Sequence, residues 1–231
     1  MKEFLVHRYL DAAILKPELP EAEVRNGLKL GLGYEVKSVC VRPCDIELAL
    51  QMCRGTSTEV GCVLNFPHGV GPSSVKAFEA EQYVRLDVAE IDMVVNYSYI
   101  KSGKWDLVEE DIAAVSRITQ PAGVVLKVIL ETAMLSPDEI SRATTVAAGV
   151  GADFVKTSTG FNGEGATVEA IECMVQAAGD RIKVKASGGI RDYARAKLFV
   201  EMGCQRLGVN YASLAAICDP TSADELQAAG Y

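Results

Sequence analysis

The chain has 231 residues, 49% hydrophobic and 23% charged, which is the make-up of one globular domain. It holds 23 Lys+Arg against 31 Asp+Glu, net -8, and such a field repels phosphate backbones and argues against nucleic acid as a partner. No run of eighteen apolar residues occurs and MKEFLVHRYLD breaks into charges early, so neither a membrane span nor a secretion signal is expected.

Short β-branched runs alternate with amphipathic stretches along the whole chain, the α/β signature. The runs predict strands at 10–15, 36–41, 59–66, 90–96, 124–131, 153–158, 182–187 and 206–210. Between them lie helical patterns such as EAEVRNGLKLGL, SVKAFEAEQYVRL, DLVEEDIAAVSRI and ATVEAIECMVQAAG, and a shorter YASLAAICD follows the last strand. Ser136, Pro137 and Glu139 spell a capping box with proline at the first helical position. Gly149, Gly179 and Gly203 fall where a left-handed helix terminator is wanted. Eight such units predict a single (β/α)8 barrel over residues 1–218, followed by a C-terminal tail over 219–231. A doubly wound open sheet is the alternative, but the first strand lacks the glycine-rich dinucleotide turn.

The seven cysteines, at 40, 44, 53, 62, 173, 204 and 218, are an odd number and fit a reducing cytoplasm rather than a disulfide framework. Cys40 and Cys44 have no second pair at finger spacing, and His7 and His68 are the only histidines, so no metal site is expected.

Barrel interiors are packed with branched apolar side chains, so charges inside strands stand out. Asp92 and Asn96 share one parity, as do Lys127 and Glu131, and Lys183 and Lys185, while Lys156 interrupts ADFVKTS. Lys183, beside Arg181, reads as a solvated strand end. Lys156 and Lys185 are 29 residues apart, one β-loop-helix-loop unit, which sets them at similar heights on strands roughly 5 Å apart. Two ammonium groups that close in a partly dry site cannot both stay charged cheaply, so at least one pKa falls. A neutral lysine is the nucleophile for Schiff-base chemistry, whose iminium accepts electrons from the neighbouring carbon and allows C–C bonds to break or form. Asp92 reads either as a proton relay or as a buried carboxylate satisfied by a lysine. Gly188 and Gly189 in SGGI read either as an anion-binding turn ahead of a helix or as a plain turn.

On the motifs SVCVRP (38–43), LNFPHG (64–69), EIDMVVN with KSG (90–96, 101–103), KVILETAML (127–135), GADFVKTSTGF (151–161) and VKASGGIR (184–191), the chain resembles deoxyribose-phosphate aldolase, nearly end to end. The resemblance implies a class I aldolase barrel that reversibly cleaves 2-deoxy-D-ribose 5-phosphate to acetaldehyde and D-glyceraldehyde 3-phosphate without metal or organic cofactor. It implies Lys156 as the Schiff-base residue, Lys185 as the group that tunes it and Asp92 as the proton relay. It also implies substrate contacts at Cys40, Asp11, Thr157, Gly160, Gly188, Gly189, Gly208 and Asn210. From its own context Cys40 reads as a buried small hydrophobe. Tyr231 is either a frayed terminus or, as in some members of that family, a mobile proton shuttle. A homodimer is the expected assembly, although no residue pattern speaks to it.

Two departures from the family pattern stand out. Ala12 and Ala13 follow Asp11, where the family has threonine two residues after the aspartate, and the last strand ends in Gly208-Val209-Asn210-Tyr211 rather than glycine and serines. Tyr211 is expected to reshape the phosphate pocket. The alternatives are therefore the same aldol chemistry on an unphosphorylated or differently substituted aldehyde, and, more distantly, a barrel that binds sugar phosphates without turnover.

Overall fold

The computed structural model describes residues 5–219. Within them the strands β1 (Leu10–Ile14), β2 (Ser38–Val41), β3 (Glu59–Leu64), β4 (Glu90–Val94), β5 (Val125–Ile129), β6 (Phe154–Lys156), β7 (Lys183–Ser187) and β8 (Arg206–Asn210) pair in parallel, each with the next. β8 pairs back onto β1, with Asp11 opposite Gly208, and closes the barrel. The open-sheet alternative is thereby excluded.

The helices are α1 (Glu21–Gly33), α2 (Ile46–Cys53), α3 (Ser73–Arg85), α4 (Tyr97–Lys101), α5 (Trp105–Thr119), α6 (Pro137–Gly149), α7 (Val168–Ala178), α8 (Tyr193–Glu201) and α9 (Leu214–Cys218). Among the described residues no helix is long and apolar enough to cross a membrane.

Strand parity divides the molecule into two interiors. Leu10, Ala12 and Ile14 of β1, Ile91 and Met93 of β4 and Leu207 and Val209 of β8 point outward and join the helices in one apolar layer. The alternate residues point into the barrel, and many of them are polar or charged.

The capping box forms as its residue types require: Ser136 Oγ accepts from the Glu139 N–H, and the Glu139 carboxylate accepts from the Ser136 N–H. Gly179 and Gly203 adopt the expected positive φ, +51° and +107°. Gly149 does not; it is the last residue of α6, and Gly151, two residues later, takes the left-handed conformation at φ +80°. The helix continues through Gly149 because Val150 N–H still bonds to Val146 O.

Candidate active site

Inside the barrel Asp92 is the hub. Its Oδ1 accepts from Lys127 Nζ at 2.8 Å, and its Oδ2 accepts from both Lys156 and Lys185 at 2.8 Å each. Register explains the meeting: Asp92 on β4 lies opposite Lys127 on β5, and Lys156 on β6 lies opposite Lys185 on β7. Asp11 takes a second hydrogen bond from Lys185, one from Ser38 Oγ at 2.7 Å and one from Arg206 Nη1 at 2.6 Å. Glu90 receives Lys127 at 2.5 Å and Arg206 at 3.0 Å. All these residues are buried.

Four cations, Lys127, Lys156, Lys185 and Arg206, thus share three carboxylates, Asp11, Glu90 and Asp92, and full ionisation would leave one excess positive charge in a dry interior. The excess falls on the cation with fewest anionic partners. Among the described residues Lys127 is in ion-pair range of Asp11, Glu90 and Asp92, Lys185 of Asp11 and Asp92, and Arg206 of Asp11 and Glu90, whereas Lys156 reaches Asp92 alone.

The proton affinities follow the same division. Burial pulls the Lys156 pKa down; Asp92 opposes this and Lys185 reinforces it, and the net is a value below the usual lysine range. Burial also disfavours charge on Lys185, but Asp11 and Asp92 outweigh it and raise its pKa. Lys127 is likewise raised, against its burial, by Asp92, Glu90 and Asp11. Burial alone would raise Asp11 and Asp92, yet the surrounding cations hold both below the ordinary carboxylate range. Of the four cations, Lys156 is thus the one that holds its proton least tightly. Cys40 lies buried within the field of the same cluster, its thiol pushed up to about 12 by burial and then by Asp92.

Above this layer a cavity of about 440 Å³ opens at the C-terminal ends of the strands. Its floor includes Ala13, Ser187 and Gly208, the next inward positions after Asp11, Lys185 and Arg206. Gly160, Gly188, Gly189 and Asn210 line it, as does Ser213. Among the described residues the charged side chains of its lining, Lys16 and Arg191, are both cations, so the cavity carries a positive field. Gly188 is required by close approach, because a Cβ there would lie 2.8 Å from Gly165 Cα. At Gly208 a Cβ would meet Ser187 Oγ at 2.7 Å and Lys185 Cε at 3.2 Å. The N-terminus of α8 is occupied by its own cap, Asp192 Oδ1 accepting from Arg195 N–H, so the exposed diglycine turn rather than the helix end faces the cavity.

The remaining expected site residues are distributed unevenly. Asp11 belongs to the ionic layer below the cavity. Thr157 is buried, and its hydroxyl donates to Ser187 O at 2.9 Å and accepts from Ser187 N–H at 2.9 Å, tying β6 to β7. Ala13 presents a methyl group to the cavity. Tyr231 lies outside the described residues. Tyr211 does not line the cavity, contrary to expectation: it packs outward toward α1, where a Cβ on Gly27 would sit 3.2 Å from its Cγ. The next turn brings Ser213 to the cavity and restores a hydroxyl.

Glu90 and Arg206 were not singled out from sequence, because a charge on the first residue of a strand normally marks a solvated end. Asn96, although it shares parity with Asp92, leaves the barrel: its side chain caps α4 by accepting from the Ser98 N–H at 3.2 Å.

Comparison with known proteins bears on what this arrangement does. The model of the DeoC/LacD family of aldolases matches residues 21–204. The deoxyribose-phosphate aldolase of Mannheimia succiniciproducens is 42% identical over 203 residues, covering 88% of this chain and 90% of the relative. That of Lactococcus lactis subsp. lactis is 42% identical over 205 residues, 89% and 92% of the two chains. Among solved structures, an aldolase described as QR15 superposes with a TM-score of 0.88 at 38% identity over 97% of this chain and 99% of its own. The deoxyribose phosphate aldolase of Aeropyrum pernix, described as a tetramer, gives a TM-score of 0.85 at 26% identity over 94% and 91%.

Proposed function

The chain belongs to the DeoC/LacD family of aldolases, and on that premise we propose that Lys156 is the residue through which it works, as the Schiff-base nucleophile. The activity is that of a class I aldolase on deoxyribose phosphate. The observation that carries the assignment of Lys156 is the excess cation of the barrel interior, which falls on the one lysine that reaches a single carboxylate.

In the cleavage direction the Lys156 amine attacks the C1 aldehyde of open-chain 2-deoxy-D-ribose 5-phosphate to give a carbinolamine, which loses water to become an iminium ion. A base removes the C3 hydroxyl proton, the C2–C3 bond breaks, and its electron pair moves into the iminium to form an enamine. D-Glyceraldehyde 3-phosphate leaves. The enamine carbon then takes a proton, and water releases acetaldehyde and restores the amine. Asp92, bridging Lys156 and Lys185 through one oxygen, is placed to pass protons between them and to stabilise the iminium electrostatically.

The phosphate end fits the cavity above, where Lys16, Arg191, Ser213 and the Gly188–Gly189 turn offer charge and donors. This favours a phosphorylated substrate over the free sugar. Comparing kcat/KM for deoxyribose 5-phosphate and deoxyribose tests it: a preference of tenfold or more, about 1.4 kcal/mol, is expected, and equal values would refute the anion cavity.

The cysteines all stand as free thiols, which supports a cytoplasmic location. For assembly we retain a homodimer, which sedimentation velocity would distinguish from a monomer or a tetramer.

A further inference from the structure

Had β5 continued in register, Glu131 would share the inner face with Lys127. It does not, because its backbone is left-handed, φ +60° and ψ +62°, a conformation strained for a non-glycine residue. The turn carries the side chain beneath the loop between β6 and α7. There Glu131 is fully buried and its carboxylate accepts from the Thr159 N–H at 3.1 Å, Thr159 Oγ1 at 2.6 Å and Asn162 Nδ2 at 3.2 Å. Asn162 also donates to Pro67 O at 3.1 Å, in the loop after β3, and the two loops meet again where the Phe66 and Phe161 rings stand edge to face at 5.1 Å.

These donors are all neutral and belong to the loop, so the carboxylate lone pairs are spent on fixing backbone rather than on a counter-ion. The loop is conformationally permissive at Gly160 and Gly163, φ +81° and +79°, and Phe161 is half exposed, while its C-terminal end is tied to the diglycine turn by Ala166 N–H donating to Gly188 O at 3.1 Å. Yet Thr159, Gly160 and Phe161 line the same cavity as Gly188 and Gly189, and Gly160 packs directly against the diglycine turn, where a Cβ on Gly188 would lie 3.6 Å from Gly160 Cα.

We propose that Glu131 is a positioning residue that sets the preference for a phosphorylated substrate, by pinning this loop against the diglycine turn so that Thr159, Gly160 and Phe161 keep their side of the cavity in place. The inference rests on the aldolase reading above. Glu131 makes no contact with the Lys156 amine, whose hydrogen-bond partner is Asp92, so it acts on binding of the phosphate end and not on the lysine chemistry.

The test is steady-state kinetics of Glu131→Gly, Glu131→Gln and Asn162→Ala with deoxyribose 5-phosphate and with free deoxyribose. Glycine keeps the left-handed turn without strain and removes only the anchor. For Glu131→Gly we expect KM for the phosphorylated sugar to rise about tenfold or more, kcat to stay within about threefold, and kcat/KM for free deoxyribose to stay within about twofold. Glu131→Gln, which keeps one acceptor, should fall between the wild type and the glycine variant. Asn162→Ala, a half-buried position, removes the bonds to Glu131 and to Pro67 O but leaves both Thr159 bonds, and should raise KM about threefold with the same split, so it decides the matter if the glycine variant does not fold. An unmoved KM, or an equal fall in kcat/KM for both sugars, would overturn the role of Glu131 alone. A wild-type protein that turned over neither sugar would overturn the aldolase reading and this inference with it.

Discussion

Replacing Lys185 with leucine takes one cation out of the barrel and leaves Lys127, Lys156 and Arg206 facing Asp11, Glu90 and Asp92, three against three. A protonated Lys156 would then complete the charge balance instead of exceeding it. In the wild type both amines lie 2.8 Å from Asp92 Oδ2, so their separation is at most twice that, about 5.6 Å. At that distance and an effective dielectric near 20, two unit charges repel by about 3 kcal/mol. Removing the repulsion, and leaving Asp92 Oδ2 to Lys156 alone, both raise the Lys156 pKa. At fixed neutral pH the free-amine fraction should fall by on the order of a hundredfold. The assay is the rate of borohydride trapping with acetaldehyde, followed by intact mass across the neutral to alkaline range. Trapping should slow at neutral pH and recover as pH rises, with the acid limb displaced upward. A limb that stays where it is in the wild type, whatever the amplitude, would refute the idea that Lys185 poises Lys156 by charge.

The other consequences are as direct. Asp11 and Asp92 are held below the ordinary carboxylate range, so the stability they contribute is present above about pH 4 and lost as pH falls further. Asp11→Asn should cost about 3 to 5 kcal/mol at neutral pH by leaving Lys185 to Asp92 alone and Arg206 to Glu90 alone, with cations in excess of carboxylates, and should flatten the acid limb of urea midpoint against pH; an unchanged limb would contradict it. Ser213→Ala should raise KM for deoxyribose 5-phosphate and leave free deoxyribose untouched, whereas Tyr211→Ser should lower the melting temperature without tightening phosphate binding. Ser136→Ala should cost about 1 kcal/mol of stability, read by denaturant titration, since it removes half of the capping box.

The barrel was legible because β-branched runs alternate with helical patterns along the whole chain, and each expected run contains an observed strand, with most ends trimmed by a residue or two where loops begin. Lys156 and Lys185 were legible because a charge in the middle of an apolar strand has no bland explanation, and their spacing of one repeat becomes their register. Glu90 and Arg206 were not, since at strand starts a charge looks solvated until barrel closure brings it to Lys127 and Asp11. Glu131 was misplaced by assuming that period-two geometry ran to the end of the β5 run. Its side chain leaves the barrel only because the backbone turns left-handed there, a choice favoured by three loop donors distant in sequence. Tyr211 was misplaced for a related reason: a loop's direction depends on what packs beside it, here Gly27 of α1.

The central claim is that Lys156, the lysine of the barrel-interior cluster with one carboxylate partner, forms the covalent link to substrate. Borohydride reduction in the presence of acetaldehyde, followed by proteolysis and peptide mass mapping, tests it on the wild type and on Lys156→Ala. The account predicts one adduct, on the peptide carrying Lys156, with none formed by the alanine variant. An adduct of equal yield on Lys185 or Lys127, or one that persists in Lys156→Ala, would contradict it.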